Sequence, residues 1–242
     1  MLFPIRDHNP PGRKPVVTYG LIAANVAMYL LTLPGFQGGQ TLWVWLALYP
    51  VAISHGELIW GLLTHMFLHA GIMHIAGNML FLWIFGDNLE DQMGRLGFLC
   101  FYLACGLGAA FAQIAADPLA SVPMVGASGA IAGVMGGYLL LFPRARMDIL
   151  LIIVVFFKVF TLPAWTMLIL WFAIQIFGGF SMVGAEGGVA YWAHAGGFIA
   201  GLILTIPVFL RRGGPDFWSR NDGKPPHDDA VYGPSRIPKV RR

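Results

Sequence analysis

Val125-Gly126-Ala127-Ser128-Gly129-Ala130-Ile131-Ala132-Gly133 sets a single serine hydroxyl between glycines at the head of an apolar run. Glycine has no Cβ, so backbone or ligand can come close on either side of that serine, and unusual φ angles are open to the chain. Such a turn suits a nucleophile. The same glycines carry a second meaning, because Gly129, Gly133 and Gly137 recur at four-residue spacing and form a small-residue face on which membrane helices pack tightly. Which meaning applies depends on whether other segments supply a base and an oxyanion site.

The composition points to a polytopic membrane protein. Of 242 residues, 57% are hydrophobic and only 11% charged, and the mean hydropathy is +0.68. A soluble domain cannot cover that much apolar surface with so few charges. Each span needs ~20 apolar residues, so the length suits one membrane domain of several spans. The formal charge of +3 is modest and its basic residues sit at span ends, which argues for membrane orientation and against nucleic-acid binding. Cys100 and Cys105 lie in one apolar run on different sides of a helix, as packing residues and not as a disulfide or metal site.

Outward from the serine, residues 1–15 contain Pro4, Pro10, Pro11 and Pro15 and are expected to form a flexible cytoplasmic arm. Val16 to Leu33 reads as the first span, retained as a signal anchor. The connector that follows carries Trp43, Trp45, Tyr49 and Trp60, residues that favour the headgroup level, so it is expected to lie in the interface. Ile72 to Phe85 and Leu96 to Ala116 read as spans two and three, and the fourth starts near Val125 and stops at Pro143-Arg144-Ala145-Arg146, so that Ser128 to Phe142 is only ~22 Å of helix. Ile149 to Phe177 is too long for one upright span and should break near Leu162-Pro163, its earlier half tilted or interfacial. A glycine-rich loop from Gly178 to Val189 should be mobile, and Ala190 to Leu210 is the last span. The membrane domain then occupies residues 16–210, and 211–242 is expected to be a disordered cytoplasmic tail.

Three segments bring chemistry to one depth. Arg13 and Lys14, Arg144 and Arg146, and Arg211 and Arg212 fall on one side of six spans, the cytoplasmic side by the positive-inside rule. Both termini then face the cytoplasm, and His74, Asn78, Ser128 and His194 gather near the outer face. Ionisable groups within spans are costly and are functional candidates by default. His194 is suited to take the Ser128 proton, and Gly197 and Gly201 would let its helix lie against Gly133 and Gly137. Glu186 falls in the glycine-rich loop, so a Ser-His dyad is expected in place of a carboxylate triad. His74 and Asn78, four residues apart on one helical face, can meet a developing oxyanion together with the Ser128 backbone N–H.

These pieces together resemble the rhomboid intramembrane serine proteases. The likeness rests on His69, His74-Ile75-Ala76-Gly77-Asn78, Gly126-Ala127-Ser128-Gly129 and Ala193-His194-Ala195-Gly196-Gly197 with Gly201, and covers about residues 16–210. It implies an all-α six-transmembrane-helix bundle with an interfacial first outer loop, in the inner (plasma) membrane of a bacterium. Ser128 would be the nucleophile, His194 the base, and His74, Asn78 and the Ser128 amide the oxyanion donors. Gly126, Gly129, His69 and Gly197 would be structural near the site, and Gly86 with Glu90 structural at the cytoplasmic end of the second span. The implied reaction is hydrolysis of transmembrane protein substrates in the lipid bilayer, with no cofactor and no metal.

Two departures from the family pattern stand out. Trp60-Gly61 replaces a Trp-Arg pair common in the first outer loop. Ala132 replaces an aromatic that in some members stacks on the catalytic histidine, so His194 is expected to be positioned by something else, Tyr191 or Trp192. Three other readings are weaker. His65, His69 and His74 cluster in sequence, the pattern of a metal site, but without a His-Glu-x-x-His motif. A transporter would carry paired intramembrane charges or an internal repeat. A catalytically inactive rhomboid-like adaptor or chaperone would have no need of both Ser128 and His194.

Overall fold

In lipid every backbone N–H needs a partner within its own segment, so long apolar runs resolve as helices. The computed structural model describes residues 2–153, 156–181 and 189–227. Within them α1 spans Val16–Leu31, and the connector after it folds into short helices α2 (Gly39–Leu46), α3 (Pro50–Ser54) and α4 (Gly61–Thr64) with a 3-10 turn at His65–Phe67. The long helices are α5 (Ile72–Met93), α6 (Arg95–Ala116), α7 (Ser128–Leu141), α8 (Ala164–Ser181) and α9 (Tyr191–Arg211). Of these α6, α8 and α9 are long and apolar enough to cross a bilayer, and α4 with its 3-10 turn joins α5 as a fourth candidate bent by 94°. Their outer faces expose Leu96, Phe111, Leu170, Phe177, Ile203 and Leu210, side chains that a water-soluble fold would hide. The fold is a mostly helical membrane bundle.

Helix α7 is the centre of it. Nearly all its side chains are buried, and α5, α6, α8 and α9 pack around it. Tyr138 and Phe142 stack edge-on at its lower end, and Phe85 meets Tyr138 the same way. Helix α5 continues past the expected stop at Phe85, because Gly86 lies against Thr18 of α1, where a Cβ would sit 3.1 Å from the threonine methyl. One turn later Glu90 accepts bonds from the Val17 and Thr18 amides and the Thr18 hydroxyl at 2.8–2.9 Å. A carboxylate there satisfies orphan donors at the start of α1 and complements its dipole. Cys105 is buried and packs at Gly133, while Cys100 is exposed, and both are free thiols.

Three expectations are corrected. The bundle is not all-α, since β1 (Leu2–Asp7), β2 (Arg146–Ile153) and β3 (Phe156–Pro163) form an antiparallel sheet in that order. The start of the expected arm is therefore a strand, with Pro4 tolerated because β1 is an edge. The break at Pro163 falls where α8 begins, but the stretch before it is a hairpin and not a tilted helix. The tail begins with α10 (Pro215–Asn221), whose Phe217 is buried against Phe142 and whose Trp218 indole donates to Leu140 O at 3.0 Å. Residues 228–242 of the tail and 182–188 of the glycine-rich loop, with Glu186, lie outside the described residues. Gly178 and Gly179 belong to α8, where Tyr191 and Trp192 pack on them.

Asp148 ties the three strands together. It accepts from Arg6 Nε of β1 at 2.7 Å and Thr161 Oγ1 of β3 at 2.6 Å, and contacts His8 Nε2 at 2.8 Å. Burial alone would raise its pKa, but these partners outweigh it and hold the carboxyl at about 2. Asp7 has the opposite balance: burial pushes it up to about 7 against the bonds donated by Tyr138 and Asn88. An acid whose folded pKa is raised binds more protons folded than unfolded, so stability falls as pH rises from about 4 to about 7. Asp7→Asn keeps the acceptor oxygen and removes that ionisation. Its melting temperature in detergent, compared with the native chain, should gain at pH 8 relative to pH 4.5.

Candidate active site

Four-residue glycine spacing lets α7 and α9 touch through their backbones. A Cβ on Gly197 would collide with Gly129 O, and one on Gly201 with Gly133 O. A Cβ on Gly133 would in turn meet Gly197 O at 3.0 Å, so α9 does lie against Gly133 as expected, whereas Gly137 faces Thr205 and Leu89. The register sets the reach. With Gly197 level with Gly129, the histidine three residues before Gly197 falls level with the serine one residue before Gly129. His194 Nε2 lies 2.8 Å from Ser128 Oγ, both side chains half-buried.

Ser128 opens α7, so its amide belongs to the first turn, whose N–H groups have no partner within the helix. The preceding loop is strapped by the first connector: Leu48 and Met124 exchange backbone bonds, Val51 N donates to Ala120 O, and Gly126 N donates to His65 O at 2.9 Å. Gly126 has φ +126°, a conformation that favours glycine, and a Cβ there would meet His74 Nε2 at 2.8 Å. His74 thus lies on the same glycine as Ser128. Its ring sits edge-on to His69, 5.1 Å between centroids, and its Nδ1 accepts from Ala70 N at 3.4 Å. Asn78 is buried on the same face of α5, with its amide donating to its own helix at His74 O, 3.0 Å away.

The histidine cluster does not converge on one point as a metal site would. His65 Nδ1 is bonded to Gly61 O at 2.8 Å, and His69 turns its ring toward His74. Trp60, beside Gly61, stacks on Trp45 and donates its indole N–H to Trp45 O at 2.7 Å. Gly61 is needed where it stands, since a Cβ would press on Ala47 O at 2.9 Å.

The positioning of His194 differs from expectation. Tyr191 packs on Gly178 and Trp192 on Gly179 and Phe180, away from the imidazole. Trp171 of α8 lies 5.7 Å from the His194 ring, and Gln175 Oε1 sits 2.8 Å from His194 Nδ1. Gln175 was not singled out from the sequence. An amide in the middle of an apolar helix, four residues after a tryptophan, was the available signal.

The Rhomboid domain family model matches residues 56–211, which include every residue of the site. The chain belongs to the rhomboid family. Among similar proteins are Rhomboid protease GluP of Bacillus subtilis, 33% identical over 198 residues, and the Putative rhomboid protease YdcA of the same organism, 35% identical over 126. They cover 80% and 52% of this rhomboid, which in turn spans 36% and 61% of their lengths. RHOMBOID-like protein 6, mitochondrial, of Arabidopsis thaliana is 41% identical over 87 residues, 36% of this chain and 28% of its own. Family membership and the apolar helices make this rhomboid an integral membrane protein.

The helix contact that brings Ser128 to His194 can be tested without catalysis. Gly201→Ala would force α9 off Gly133 O, at a cost of ~1–3 kcal/mol for overpacking. Gly20→Ala in α1, where a Cβ meets nothing within 4 Å, should gain up to ~1 kcal/mol in helix propensity. Melting in detergent should therefore fall for the first and hold or rise for the second.

Proposed function

We propose that this rhomboid is an intramembrane serine endopeptidase that cleaves transmembrane segments near the outer face of the membrane. The 2.8 Å contact between Ser128 Oγ and His194 Nε2 carries the reading. Ser128 gives its proton to His194 Nε2 as Oγ attacks the scissile carbonyl carbon, and the carbonyl oxygen becomes an oxyanion. The Ser128 N–H, at the positive end of α7, and His74 would meet that charge. Asn78 would join them once its amide leaves His74 O. His194 then protonates the leaving amine, and water attacks the acyl-serine by the same route in reverse.

Depth supports the substrate class. At 1.5 Å per residue, the 14 residues of α7 span ~21 Å, against ~30 Å for a bilayer core. With the Arg144 end at the cytoplasmic surface, Ser128 lies in a recess below the outer one, in a six-span arrangement with both termini cytoplasmic. A helix offered to Ser128 has its carbonyls already bonded internally, so it must unwind before attack. Glycine or proline near the cleaved bond weakens the helix by ~1 or ~3 kcal/mol relative to alanine and favours cleavage.

Two measurements test the reading. Purified chain should react with a serine-directed fluorophosphonate and cleave a transmembrane substrate, and Ser128→Ala or His194→Ala should each abolish both while melting as the native chain does. Absence of labelling in the native chain would favour a client-binding adaptor. Asn78→Ala should lower kcat roughly 10- to 1,000-fold with KM little changed, as for other side-chain oxyanion donors. An unchanged kcat would leave Asn78 as helix packing alone.

A further inference from the structure

The His194 ring has two nitrogens, and only one is accounted for by the proposed nucleophile. Nε2 faces Ser128 Oγ at 2.8 Å; Nδ1 faces Gln175 Oε1 at the same distance. Gln175 lies on α8, only 6% exposed, so its amide must find partners within the protein. It finds two. Its Nε2 can only donate, and it points at Trp171 O, 3.4 Å away on the preceding turn of the same helix. That leaves Oε1, which can only accept, directed at the imidazole.

We propose that Gln175 is the positioning residue of this site, holding His194 in the tautomer that makes it a base. Because Oε1 has no proton to give, Nδ1 must carry the hydrogen of the Nδ1···Oε1 bond. A neutral imidazole has one proton, so Nε2 is left with its lone pair free toward the Ser128 hydroxyl. The opposite tautomer would put an N–H at Nε2, which can donate to Ser128 but cannot take its proton. In the Ser-His-Asp arrangement a buried carboxylate does this work, and loss of the correct tautomer there is highly damaging. Here a neutral amide supplies the same acceptor, without the cost of a charge buried at membrane depth.

Trp171 packs beside the ring, tilted 37° to it, and Gln175 sets its protonation. The two lie four residues apart on α8, so both reach the same neighbour from one face of the helix. The aromatic neighbour of the His194 ring thus comes from α8, while position 132 on α7 carries only a methyl group. The α8–α9 contact is thereby part of the site, and Phe172 stacked on Phe198 at 4.6 Å between centroids keeps it closed one turn below.

The inference rests on the proposed role of Ser128 and His194, and its test is separable from theirs. Full-length chain labelled with 15N-histidine in detergent micelles is assigned at His194 by the loss of signals in His194→Gln. The native chain should show a protonated Nδ1 and an unprotonated Nε2. Gln175→Met, similar in length and without an acceptor, should melt near the native temperature, lose that single tautomer, and react with the fluorophosphonate roughly 10- to 1,000-fold more slowly. Gln175→Glu retains the acceptor and should restore the tautomer and most of the rate. A native tautomer and native labelling rate in Gln175→Met would overturn the proposal. So would a slow Gln175→Met whose tautomer is unchanged, or, should that variant unfold, a Gln175→Glu that has lost the Nδ1 proton. If the native chain does not react with the probe at all, the protease reading fails, and the nitrogen spectra still decide what Gln175 does.

Discussion

A serine side chain reaches only a short way from its backbone, so the contact between Ser128 and His194 requires two helices closer than ordinary side chains allow. The backbone contact of Gly129 and Gly133 with Gly197 and Gly201 meets that requirement, and the rest of the bundle follows from it. Without side chains between them, α7 and α9 gain little from hydrophobic burial in lipid, and their association rests on close van der Waals contact. Such contact is steeply distance-dependent. The surrounding helices must therefore press evenly, which is why α7 is enclosed by α5, α6, α8 and α9.

Polar groups at the opposite end of the bundle do a different task. Glu90, Asp148 and the Asp7–Asn88–Tyr138 contacts join segments far apart in sequence by short directional bonds. Directional bonds fix register, which apolar packing leaves loose. They hold the ends of α1, α5 and α7 at defined heights, and with them the height at which Ser128 stands. The site at one end is thus levelled from the other.

The helices were legible because their apolar runs and their breakers are local signals: Leu96 to Ala116 matches α6 to within a residue, and the span expected from near Val125 to Pro143 holds α7, which starts three residues later at Ser128. Ser128, His194 and His74 were legible because polar groups within apolar runs stand out against them. The sheet was not. Ile149 to Phe160 is apolar without interruption apart from Lys158, and a run of that kind does not distinguish a strand from a buried helix. The β-branched cluster at Ile152, Ile153, Val154 and Val155 was the signal to weigh. β1 was harder, since its partner lies 140 or more residues away and Pro4, with the prolines that follow the strand, resembles a linker. Gln175 escaped notice for a related reason: its meaning depends on a histidine 19 residues later, across a loop, and on the register between two helices.

The sheet also constrains how the chain threads the membrane. β1 and β2 exchange backbone bonds, so Asp7 and Met147 must stand on one side of the bilayer, and the chain between them crosses an even number of times. The same holds farther on, because Arg144 bonds to Asp222 at 2.7 Å and the Trp218 indole reaches Leu140 O, so the segment holding α8 and α9 must also return to the side it left. A chain inserted with one helix missing or inverted would leave one of these partners across the membrane from the other. The small sheet and α10 are therefore a parity check on insertion, and they can close only after the helices between them have all been placed correctly.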